Sequence, residues 1–171
     1  EWSDSSRGAF YPLYAVWNNG LEVTATGGED SISSLHISKL VGSFRTYVYT
    51  GNQGLSMEAW FDGLKRGRAM VSSGPLLEME VGNALPGDTV QLPPNGGSVV
   101  ISGRLRSITE LDDVALYCNG KEVERFPVTG NGTSLDINYS VRIENSGWCH
   151  LRTEGDPDRR GVLDVAYAQA F

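Results

Sequence analysis

The chain has 171 residues, 40% of them hydrophobic, and a formal net charge of −7. That length suffices for one substantial domain or two small ones, with a core large enough to need no staples. The acidic balance lacks the basic footprint of nucleic-acid binding and weighs against adsorption to anionic membranes. No apolar run approaches the ~20 residues of a membrane-spanning helix. Nucleic acid and a membrane span are therefore not expected among the partners.

The chain opens EWSDSS, without a Met start or a signal-peptide pattern, and reads as a mature product, a domain or a fragment. Residues 1–75 carry 7 acidic and 6 basic side chains, net −1, and residues 76–171 carry 14 and 8, net −6. YPLYAVWNNG (11–20) predicts a short helix stopped by Asn-Asn-Gly. LEVTA (21–25) predicts a short strand, and RTYVYT (45–50) a second one. SMEAWFDGLKRG (56–67) is the best helix: Ser56 caps it, Glu58 suits its first turn, and Gly67 suits C′. Met57, Trp60, Phe61 and Leu64 fall at i, i+3, i+4 and i+7, which predicts one apolar face turned to a core.

Beyond Ser73-Gly74-Pro75 nearly everything reads as strand and turn. Strands are predicted over 76–81, 97–107, 113–118, 121–128, 135–143, 147–153 and 162–171. In LDINYSVRI (135–143) the apolar residues alternate strictly with polar ones, the mark of a half-buried strand. Asn119-Gly120 between two strands predicts a type I′ hairpin. Seven short strands with turns between them predict an immunoglobulin-like antiparallel β-sandwich. The fold class expected is α+β but mostly β, a small βα segment over 1–75 followed by the sandwich over 76–171.

Several chemistries are excluded or weakened. No G-x-S-x-G elbow and no phosphate-cradling G-x-x-x-x-G-K-[ST] is present. Cys118 and Cys149 are too few for a disulfide framework. A single bridge is open, but two small buried hydrophobes are the favoured reading. The count does not settle the compartment, a secreted or periplasmic setting being favoured over a cytoplasmic one. His150, next to Trp148 and Cys149, reads as a satisfied sheet residue. Asn131-Gly132-Thr133 and Asn138-Tyr139-Ser140 match the glycosylation pattern, which has meaning only in a secreted eukaryotic protein.

The stretch TATGGEDSISSLH (24–36) is the strongest candidate for a site. Gly27 and Gly28 permit a tight turn, Glu29 and Asp30 offer hard oxygen ligands, and His36 offers a nitrogen ligand. Adjacent rather than alternating carboxylates do not make an EF-hand loop. From spacing alone, a polar loop with a chance acid pair is the simpler reading. Two histidines in the whole chain cannot furnish a multinuclear site.

The order of pieces TGGED, RTYVY, EAWFDGLKRGR and VSSGP, followed by PGDTVQL and VALYCNGKEV, resembles the C-terminal part of the CehA/McbA family of metallohydrolases, of the PHP (polymerase and histidinol phosphatase-like) superfamily. The resemblance runs from about Tyr11 to the C-terminus. It implies a distorted β/α barrel that binds divalent metal between strand ends and is followed by a β-sandwich, with this chain supplying only the last βα units and the sandwich. It maps a metal-ligating Asp onto Asp30, with Glu29 and His36 as further candidates, and makes Arg45 a candidate on the substrate side. A His that often follows that Asp closely is replaced by Ile32 here. The other ligands would lie upstream, so the isolated chain is expected to be inactive. The expected partner is then an upstream metallohydrolase domain or a second copy of the chain. Two other readings stand beside it: a carbohydrate- or protein-binding β-sandwich module, and a structural domain of a larger protein.

Overall fold

The computed structural model describes residues 10–28, 41–155 and 165–170, the last stretch by its backbone. Helix α1 (Phe10–Asn18) comes first, then strand β1 (Arg45–Val48), helix α2 (Met57–Lys65) and strand β2 (Ala69–Ser72). The remaining strands are β3 (Leu76–Val81), β4 (Gly97–Arg106), β5 (Asp113–Cys118), β6 (Lys121–Pro127), β7 (Ser134–Ile143), β8 (Cys149–Glu154) and β9 (Val165–Ala170). They form a six-stranded sheet in the order β1-β2-β9-β8-β5-β6 and a three-stranded sheet in the order β3-β4-β7. Every pairing among the described residues is antiparallel. The chain is thus mostly β, with two antiparallel sheets, as the alternating patterns predict.

The two sheets share one core. Leu77 and Met79 of β3, Ile101 and Leu105 of β4, and Ile137 and Val141 of β7 meet Val114 and Leu116 of β5 and Leu151 of β8. Period-2 alternation puts these side chains on the inner faces, and each buried aliphatic contributes roughly 1.5–3 kcal/mol. The outer face of the small sheet carries charge instead: Arg104 lies 3.8 Å from Glu78 and 3.5 Å from Asp136 across the strands. The Asn119-Gly120 hairpin forms as expected, with φ of +51° and +81° at its two corner residues.

Strand β2 is too short to announce itself in the sequence; its neighbours β1 and β9 make it a strand. It ends at a corner. Ser72 Oγ accepts from Gly74 N at 2.9 Å and donates to the Pro75 carbonyl, and the chain leaves the large sheet to start β3 in the small one. The large sheet therefore draws strands from both sides of Pro75. The turn at Pro86-Gly87-Asp88 docks on the end of α2. Arg68 Nη2 donates to Asp88 Oδ1 at 3.3 Å, and a Cβ on Gly87 would stand 1.7 Å from the Arg66 carbonyl oxygen.

Three expectations are corrected. Cys118 and Cys149 face each other on β5 and β8 and form a disulfide, not a pair of free thiols. Antiparallel register brings the two side chains opposite each other, which their separation of 31 residues hides in the sequence. Residues 21–26 form no strand. Side chains hold that segment instead: Trp17 Nε1 donates to the Val23 carbonyl at 2.9 Å, and Thr24 Oγ1 to the Leu64 carbonyl at 2.8 Å.

Helix α2 is capped as predicted, with Ser56 Oγ accepting from Ala59 N at 3.1 Å, but only part of its predicted apolar face packs, Trp60 and Leu64 being half-buried. Ala59 and Gly63 are buried, whereas Met57 and Phe61 are 66% and 46% exposed. The helix approaches β1 so closely that a Cβ on Gly63 would lie 2.6 Å from Val48 Cγ1. Only small residues permit that approach.

Candidate functional site

The stretch that precedes the acidic pair is firmly held. Gly27 N donates to Thr46 Oγ1 at 2.9 Å, and the Thr46 hydroxyl donates back to the Gly27 carbonyl at 3.1 Å. A Cβ on Gly27 would stand 2.3 Å from Val71 Cγ1 and 2.5 Å from Phe44 Cε1, so glycine is required by space here. With the bonds of Val23 and Thr24 to α1 and α2, residues 23–27 are pinned to α1, α2 and β1. Beyond Gly28, the candidate ligands Glu29, Asp30 and His36 lie outside the described residues.

Arg45 is the one candidate that is described. It is exposed at the first position of β1, next to the Thr46 clasp, and its Nη1 donates to the Tyr47 hydroxyl at 3.2 Å. Among the described residues no group of three or more His, Cys, Asp or Glu side chains could hold a metal ion. The described side chains therefore do not form a metal centre, and no catalytic step is derived through one.

A second cluster, which the sequence did not reveal, lies beneath α1. Leu116 and Leu151 point into the core, so their register neighbours Tyr117 and His150 point to the outer face of the large sheet, opposite each other. Helix α1 covers them. His150 is fully buried, its ring stacked on Tyr117 at 5.1 Å and on Trp148 at 5.7 Å. Tyr14 of α1 meets His150 Nε2 with its hydroxyl at 2.7 Å. Trp148 Nε1 donates to Asn18 Oδ1 at 2.9 Å, and Trp17 packs edge-on against Trp148 at 4.8 Å.

The ring nitrogens can be assigned by chemistry. His150 Nδ1 lies 3.3 Å from the Leu151 carbonyl, which can only accept, so Nδ1 carries the proton and Nε2 accepts from Tyr14. Burial pushes the imidazole down to about 3, assisted by the positive charge of Arg152 and opposed by the Leu151 carbonyl. Burial likewise pushes the Tyr14 hydroxyl up to about 12, against the pull of Arg152. Neither group changes charge near neutral pH, where a general acid or base needs to titrate. The pair is a latch for α1 rather than a proton relay, in line with the satisfied sheet residue expected for His150. The aromatic run YPLYAVW (11–17) was its only signal, and nothing local links it to a histidine 136 residues away. Comparison with known proteins gives no match, whether to a family model, to a curated protein or to a solved structure.

Proposed function

We propose that this chain is the C-terminal portion of a metal-dependent hydrolase of the PHP superfamily, of the CehA/McbA kind, acting on phosphoester, ester or amide-type bonds. In this reading residues 1–75 complete the catalytic domain, and residues 76–171 form an immunoglobulin-like sandwich whose large sheet β1 and β2 extend. Asp30, with Glu29 and His36, belongs to a divalent-metal site whose other ligands lie upstream, and Arg45 stands on the substrate side. The Cys118–Cys149 bridge supports a secreted or periplasmic setting.

The observation that carries the reading is the bare apolar side of α2. Met57 and Phe61, one turn apart, are 66% and 46% exposed, and Leu55 just before the helix is 93% exposed. Apolar surface clustered in this way marks an interface. An upstream barrel domain, or a second copy of the chain, would cover it. The clasp of Gly27 on Thr46 adds support, because it fixes the chain at the point where the acidic pair follows.

The test compares two polypeptides, this chain and a longer one that includes the upstream coding sequence. The longer one is expected to retain divalent metal by elemental analysis and to hydrolyse an activated phosphoester or ester. Asp30→Ala is expected to lower both metal content and rate. Failure of the longer polypeptide to take up metal overturns the reading. Metal-dependent hydrolysis by the 171-residue chain alone, abolished by Asp30→Ala, overturns the inactivity expected of it.

A further inference from the structure

A cleft of about 580 Å3 opens where the end of α1 meets the end of the sandwich. That volume suits a small molecule rather than a macromolecular surface. Its wall is formed by Trp17, Asn18 and Glu22 on one side and by Thr89, Asn119 and Ser146 on the other, with Trp148 between them. A smaller apolar cavity of about 70 Å3, lined by Val90, Leu92 and Cys149, shares Asn119, Gly147 and Trp148 with the cleft.

Trp148 organises the polar groups. Its ring Nε1 donates to Asn18 Oδ1 at 2.9 Å and its backbone N to Asn119 Oδ1 at 3.0 Å. Both donors are N–H groups, so each amide must turn its oxygen to Trp148 and is left with its NH2 for another acceptor. Asn119 is held in place by its left-handed backbone, with φ of +51°, and by Gly147, where a Cβ would stand 2.0 Å from Asn119 Oδ1. The carboxylate of Glu22 and the hydroxyls of Thr89 and Ser146 complete a set of donors and acceptors beside the exposed apolar side chain of Leu21, the two indoles being almost wholly buried. Among the described residues no Lys or Arg lines the cleft, and the only ionisable side chain there is the acidic Glu22.

We propose that this cleft binds a neutral saccharide. A sugar hydroxyl both donates and accepts, which matches fixed amide NH2 groups set beside a carboxylate, and the C–H face of a pyranose ring is apolar enough to rest against Leu21. The lone negative charge selects against phosphorylated and acidic sugars. The site is built from α1, the segment that follows it and the sandwich, without Asp30, Glu29, His36 or Arg45, so its success or failure leaves the hydrolase reading untouched.

Calorimetric titration of the chain with glucose, galactose, N-acetylglucosamine and maltose, followed in parallel by tryptophan fluorescence, tests the proposal. At least one of these sugars is expected to saturate, with Kd on the order of millimolar or tighter. Glu22→Gln and Asn119→Gly are each expected to weaken that binding tenfold or more. The first changes an exposed side chain and the second keeps the left-handed backbone, so circular dichroism should be unaltered. Glucose 6-phosphate is expected to bind at least tenfold more weakly than glucose. The proposal is overturned if none of the four sugars saturates, if binding survives both substitutions, or if the phosphate binds as well as the parent sugar.

Discussion

The molecule has two interiors, one on each face of its large sheet, and they are built on different physics. The inner face packs Leu116 and Leu151 against Leu77, Ile101 and Leu105 of the small sheet, all essentially fully buried and none with a polar atom. The outer face packs Tyr117 and His150 under Tyr14 and Trp17 of α1, with Trp148 at the edge. The first interior is held by the removal of apolar area from water, which has no direction. The second is held by stacking and by hydrogen bonds, which do. Adjacent residues of one strand, His150 and Leu151, belong to different interiors. A single strand can therefore carry both a tolerant core and an exacting docking surface.

The largest expected effect lies in the aliphatic interior. Leu116→Ala should cost about 2–5 kcal/mol, because the two sheets close on the vacated space only in part. Denaturant unfolding monitored by circular dichroism measures it. A cost below about 1 kcal/mol would mean that Leu116 does not sit at a packed centre. Next comes the bridge between Cys118 and Cys149, which closes a loop of 31 residues on the strands common to both interiors. Chain-entropy arguments give about 3–4 kcal/mol for a loop of that length. Reduction, or the double substitution Cys118→Ser with Cys149→Ser, should lower the denaturation midpoint accordingly.

The aromatic interior should respond to pH where the aliphatic one does not. His150 titrates near 6.5 in the unfolded chain and is pushed down to about 3 by burial in the folded one. Between those values the unfolded chain binds a proton that the folded chain refuses, so stability falls as pH falls through the window. The slope is about 1.4 kcal/mol per pH unit, or about 2 kcal/mol lost between pH 6.5 and pH 5. His150→Phe should flatten the curve over that range relative to the parent chain; an unchanged slope would place the proton uptake elsewhere. Tyr14→Phe should cost less, about 1–2 kcal/mol, since it removes the hydroxyl's bonds to His150 and Arg152 but keeps the ring. Leu116→Ala should leave the pH dependence as it is.

The two interiors were also unequally legible in the sequence. Alternation in LLEMEV and LDINYSVRI identifies Leu77, Met79, Ile137 and Val141 as core residues, because a strand's period of two maps directly onto its faces. The hydrogen bonds of Trp148 to Asn18, of His150 to Tyr14 and of the Thr46 clasp to Gly27 join residues 19 to 136 apart, and no local pattern carries such pairings. The disulfide was hidden for the same reason. In the candidate site, Gly27 could be recognised as a tight point, but its cause, the approach of Val71 and Phe44, is tertiary. Arg45 was found by resemblance, whereas the amides of the α1 cleft left no signal beyond Asn-Asn-Gly and the hairpin Asn-Gly.

Helix α2 shows where apolar periodicity points only in part to the packed side. The stripe Met57, Trp60, Phe61 and Leu64 has the spacing of a core face, yet the helix rests on Ala59 and Gly63. Close approach to β1 selects for small side chains, and Met57 and Phe61 are left exposed while Trp60 and Leu64 are half-buried. Phe61→Ser should therefore change the stability of this chain by no more than about 0.5 kcal/mol, the range of surface substitutions. Gly63→Ala should cost more than that, because its new methyl group meets Val48 and the Tyr49 carbonyl. Urea unfolding of the two variants side by side measures the contrast. If Phe61→Ser is the more damaging, the apolar stripe belongs to the chain's own core and the surface left for a covering domain disappears. If Gly63→Ala is the more damaging, Met57 and Phe61 remain free for that domain, and the same Phe61→Ser change should then weaken its association.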